Sequence, residues 1–159
     1  MARQPARTAP VDLSAALWEL LTASAREDAT AFIALLDDAE NALAESTESG
    51  WIVWRHAVAA RQRLIDDDAG AVRPEVSAAR EALEKCSPSA DTALAMAYLA
   101  HIEVTADHAE GAMLLAVDAS LLTESPAAGG PSRALQEAHR WLSLALSGLD
   151  LEELSLIHI

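Results

Sequence analysis

The sequence predicts an all-α fold of about seven helices, paired as antiparallel hairpins and stacked as a short solenoid or bundle. Three observations carry that expectation. Alanine and leucine, both strong helix formers, fill 36 and 23 of the 159 positions. β-Branched and aromatic residues, which strands favour, are sparse. Apolar residues recur at spacings of three and four, interrupted by short polar or Gly/Pro-rich breaks. At 16.8 kDa the chain suits one domain with a sizeable core. Its expected limits are residues 11–154, between an N-terminal arm (1–10) and a truncated or appended tail (155–159).

The elements follow in order. Asp12 stands where an N-cap belongs, ahead of Leu13, Leu17, Leu20 and Leu21 on one face. The pattern weakens at residues 26–28 and resumes with Phe32, Leu35, Leu36, Ala39 and Leu43, so two helices meet there or one bends. Residues 46–50 read as a turn. A third helix carries Trp51, Trp54, Val58 and Ile65. It must stop at 66–70, because three aspartates oppose the dipole at a helix C-terminus.

Pro74 suits the first turn of the next helix, whose inner face is Val76, Ala79, Leu83 and Cys86. Residues 87–89 break the chain, and Asp91 opens a fifth helix with Leu94, Ala97, Tyr98 and Ile102 inward. After a turn at Asp107 and His108, a sixth helix contains Ala112, Met113, Ala116, Val117, Leu121 and Leu122. Residues 126–131, with two Pro and two Gly, form the clearest loop. Ser132 then caps a seventh helix bearing Leu135, Ala138, Trp141, Leu142, Ala145 and Leu149, and a further helical pattern starts at Leu151.

Charge and cysteine content exclude several functions. Eleven basic against 25 acidic residues leave a net charge of −14, which repels phosphate backbones and anionic lipid surfaces. Neither nucleic acid nor membrane is an expected partner. The single cysteine, Cys86, rules out an internal disulfide, and no apolar stretch reaches the length of a bilayer span. A cytoplasmic location is expected.

Chemistry-bearing patterns are few. No two of His56, His101, His108, His139 and His158 stand four apart, so there is no helical metal pair, and a weak cluster of His101, Glu103, His108 and Glu110 is the best zinc reading. The 66–68 aspartates lack the alternating ligands of a calcium loop. Asp37, Asp38 and Glu40 read as a solvated helix face. Cys86 reads as a small inward residue, with no base or positive setting to make it a nucleophile. No nucleophile elbow or glycine-rich phosphate loop occurs. The expectation is a protein that is not an enzyme and holds no metal or cofactor.

The tryptophans are the exception, four against one Phe and one Tyr. Packing between hairpins accounts for them, and two further readings stay open. Trp18, Leu21, Trp51 and Trp54 are candidates for an interaction surface, with a protein partner or a second copy of the chain, because tryptophan is enriched in binding hot spots. Trp54, Met96, Tyr98 and Trp141 are candidates for an apolar pocket that senses a small ligand.

Residues 90–126 resemble one tetratricopeptide-type hairpin, a unit of about 34 residues. Ala100, Ala112 and Ala119 fall at its small positions, Asp107 near its turn and Pro126 close to its terminating proline. Met96, Glu103 and Ala116 occupy the slots of its large aromatics. Residues 132–153 are similar to the start of another unit. The alanine-rich, arginine-over-lysine composition resembles the N-terminal regions of actinobacterial signalling proteins. In these a helical region precedes an output domain, often a GGDEF-type diguanylate cyclase and sometimes a helix-turn-helix regulator. The resemblance implies a TPR-like interaction or dimerisation domain. No GGDEF motif occurs here, so any cyclase activity would lie in another segment.

Overall fold

The computed structural model describes residues 8–44 and 49–149. Every regular element among them is helical: α1 (Thr8–Ala25), α2 (Ala29–Ala44), α3 (Ser49–Ile65), α4 (Ala69–Leu83), α5 (Ala90–Thr105), α6 (Ala109–Thr123) and α7 (Arg133–Gly148), with one 3-10 turn at Pro126–Ala128. The tail 155–159, the pattern from Leu151 and the 45–48 part of the predicted turn lie outside the described residues. Gly50, assigned to that turn, falls in the first turn of α3. The first helix starts at Thr8, so it takes in the end of the predicted arm and places Asp12 inside the helix.

Three hairpins, α1–α2, α3–α4 and α5–α6, are joined by connectors of the same construction. In each, a residue in the left-handed region ends the first helix: Glu27 (φ 54°), Asp67 (φ 58°) and Asp107 (φ 65°). Their N–H groups donate to the carbonyls of Ser24, Leu64 and Val104. The next N–H groups, of Asp28, Asp68 and His108, reach back to Ala23, Arg63 and Glu103 at 2.8–3.0 Å. This pair of bonds satisfies the last carbonyls of the helix and turns the chain sharply. The following helix therefore starts at once, which explains why Pro74 sits six residues into α4 rather than in its first turn. There it forgoes a backbone bond at an exposed site.

The three turn residues stand 40 apart, and the core repeats with them. Ala39, Ala79 and Ala119 are equivalent and buried, as are Phe32, Val72 and Ala112. This spacing exceeds the roughly 34 residues of the resembled unit, yet Ala100, Ala112 and Ala119 are all fully buried where α5 crosses α6. Small residues there allow close helix approach.

Helix α5 is central. It packs against α6, α7 and α3, and buries Ala93, Leu94, Ala97, Tyr98, Leu99 and Ile102 around its whole circumference. Ser89 caps α5 through Thr92 N (3.2 Å), and Ser132 caps α7 through Leu135 N (3.1 Å). Helix α7 has the sharpest apolar stripe, and its predicted inward residues Ala138, Trp141, Leu142 and Ala145 are buried. Gly148 lets the end of α7 approach Val104, whose side chain a Cβ would strike. By contrast the apolar residues of α6 are not confined to one face, and Val117 and Leu121, two of the residues expected to define its apolar face, are 49% and 66% exposed.

Candidate functional site

Two regions gather the candidate residues. The first is a buried cluster where the odd-numbered helices meet. Tyr98 of α5 lies between Trp54 of α3 (ring centroids 5.8 Å apart) and Trp141 of α7 (4.8 Å, edge-on at 87°). Its hydroxyl shares a 2.9 Å hydrogen bond with Ser24 of α1. His101, one turn along α5, meets Trp141 edge-on at 5.0 Å. Arg61 of α3 reaches in at 7% exposure, its Nη1 3.2 Å from His101 Nδ1 and its Nη2 donating to the Ser24 carbonyl at 3.2 Å. A guanidinium only donates, so His101 Nδ1 accepts and the imidazole proton sits on Nε2. Trp141 Nε1 is buried with no acceptor among the described residues.

This arrangement holds its titratable groups neutral. Burial, reinforced by the Arg61 charge, pushes His101 down to about 4. Burial raises Tyr98, against smaller opposing effects of Arg61 and Ser24. Neither group is poised to exchange a proton near neutrality. The His101 shift has a measurable consequence. Between about pH 6.5 and 4 the unfolded chain binds a proton that the folded chain refuses, so stability is full above that window and falls as pH drops through it. From pH 7 to 5 the loss at this half-buried ring should be about 1–2 kcal/mol, after allowing for solvent screening. His101→Gln keeps an acceptor for Arg61 and removes the titration. In urea unfolding at the two pH values the variant should lose that much less stability, and identical pH dependence would refute the assignment.

The predicted pocket residues therefore divide. Trp54, Tyr98 and Trp141 come together, but in ring-to-ring contact that leaves no room for a ligand between them. Met96 is half-buried on another face of α5 and lines the groove described below. The predicted interaction surface divides too. Leu21 and Trp54 are core residues, at 2% and 7% exposure, within the apolar cluster, Trp54 against Tyr98 of α5. Trp51 is half-buried against the core. Trp18 borders an open groove, between α1 and α2, and the Arg133 guanidinium stands 4.3 Å over its ring. That cation–π contact ties the start of α7 to α1.

The second region is a groove between α4 and α6, floored by α5. Helix α4 packs closely on α3 but barely touches α5, which leaves two cavities in line. One, of about 510 Å³, is lined by Leu83, Cys86, Met96, Asp118, Leu121 and Leu122. The other, of about 290 Å³, is lined by Arg73, Arg80, Glu103, Glu110, Gly111 and Leu114. Cys86 is half-buried and donates to the Ala82 carbonyl (3.4 Å), and burial pushes its thiol up, away from the reactive thiolate.

At the groove floor Glu103 is buried, with Oε1 3.3 Å from His108 Nδ1 and Oε2 against Gly111, where a Cβ would displace it. This His108–Glu103 contact is the part of the weak zinc cluster that forms. No three His, Cys, Asp or Glu side chains converge on a metal site among the described residues. No described helix is long and apolar enough to cross a membrane. Sequence reasoning singled out neither Arg61 nor this groove. The clue to the groove was α6 itself, apolar on more faces than its neighbours could cover.

No family model, curated protein or solved structure matches this chain.

Proposed function

We propose that the chain is a non-catalytic, TPR-like interaction domain of a bacterial signalling or regulatory protein, with an output domain such as a diguanylate cyclase in another segment. It works in the cytoplasm by holding a protein partner against a fixed helical surface. One observation carries the reading: Leu114, Val117 and Leu121 of α6 are 53%, 49% and 66% exposed on a chain of net charge −14. Solvated surfaces of such charge have no need of large apolar side chains, and clustered ones mark contact sites. The neutral state of Tyr98 and His101, hydrogen-bonded to Ser24 and Arg61 respectively, agrees with a structural role for the buried cluster.

The test is photo-crosslinking in cells that natively make the protein, with a photoreactive amino acid at Leu114, Val117 or Leu121 and a control at exposed Asp37 of α2. Covalent adducts to a polypeptide are expected from the α6 positions and absent from the control. No adduct from any α6 position would overturn the reading.

A further inference from the structure

The groove between α4 and α6 has a shape and charge pattern that specify what fits it. We infer that it takes one amphipathic helix of a partner protein, with an acidic flank toward α4 and a basic flank toward α6. This rests on the partner-binding reading above and adds the chemistry of the bound segment.

The two cavities follow each other along the parallel helices α4 and α6, over roughly three turns or about 15 Å. A helix laid in such a channel presents apolar anchors at spacings of three and four. Met96 and Leu121 offer it apolar contact toward one end. The two walls differ in charge. On α4, Arg73 and Arg80 stand two turns apart on the groove-lining face, and neither has an ion pair among the described residues. Together they hold two of the chain's 11 basic residues on one wall of the groove. On α6, Glu110 and Asp118 line the opposite wall. Beneath them Glu103, 5% exposed, keeps Oε2 without a hydrogen-bond donor among the described residues, on the groove side beside Gly111. With Glu110 and Asp118 it makes this side of the groove acidic, which favours a basic flank on the bound segment.

Fluorescence anisotropy with synthetic helical peptides tests this on the whole chain. One peptide carries a leucine stripe, glutamates along one flank and lysines along the other; a second has the same stripe with lysines on both flanks. The native chain should bind the mixed peptide about tenfold more tightly than the all-lysine one. The double variant Arg73→Glu, Arg80→Glu makes both walls acidic and should reverse that preference. Leu121→Glu, at an exposed position that leaves the helical circular-dichroism signal intact, should abolish binding of both peptides. The inference falls if neither peptide binds saturably, if the preference ignores the arginine variants, or if binding survives Leu121→Glu. It also falls if light scattering finds a dimer that Leu121→Glu dissolves, which would assign the groove to a second copy. Crosslinks from Leu121 alongside failed peptides would leave the partner reading standing and remove only the helix.

Discussion

Replacing Trp141 with alanine should cost about 4 kcal/mol, the largest loss expected from any single truncation here. The indole is fully buried between Tyr98 and His101, in the contact where α5 meets α7 most extensively. Its removal leaves a cavity that rigid neighbours fill poorly and takes away two edge-on aromatic contacts. In a domain whose net stability is on the order of 10 kcal/mol, that change is large but does not abolish folding. Trp141→Phe should be far milder, at about 1 kcal/mol. Phenylalanine restores most of the volume, and Nε1 has no acceptor to lose. Urea denaturation reads both, and a cost below about 1 kcal/mol for the alanine variant would mean that the cluster is not the centre of the core.

The connectors offer the opposite effect. Changing Glu27, Asp67 and Asp107 together to glycine should stabilise the protein by about 2 kcal/mol, raising the melting temperature by roughly 4–8 °C. All three are exposed and hold positive φ, a conformation that costs an ordinary side chain about 1 kcal/mol and glycine nothing. Glycine gives back part of this through its more flexible unfolded chain. The Glu27 change should contribute most, because aspartate tolerates the left-handed region better than glutamate. The sites belong to separate hairpins, so their effects should add. Glu27→Val is the control: a β-branched residue at that φ should destabilise. Calorimetry showing no gain from the triple change would imply that the turns relax to another geometry.

How much was legible varied from element to element. The seventh helix was read almost completely, with its serine cap and the inward row of Ala138, Trp141, Leu142 and Ala145. One face of α7 is apolar and the other polar, and such a helix declares its orientation. The fifth and sixth helices were read as helices, but their faces were not separable, since both are apolar nearly all round. That is why the sequence groups Val117 and Leu121, which are exposed, with Ala112 and Ala116, which are buried. Leu21 and Trp54 illustrate the reverse error, with apolar bulk taken as a possible surface when the core had room for it. The 40-residue recurrence of Glu27, Asp67 and Asp107, each two residues ahead of an alanine, was present in the sequence. It stays hidden until that period is tried, because so few other identities repeat with it.

The amino-acid sequence by itself determined the all-helical class, the approximate number of helices and most of their breaks. Helix propensity, capping and apolar spacing are properties of neighbours along the chain. Tertiary structure alone decided that Arg61 would lie in the core beside His101, that three aromatic rings would pack in contact, and that α4 would stand off α6 and leave a groove. Those outcomes depend on how far apart and at what angle the hairpins settle, which small differences in side-chain volume between distant segments control.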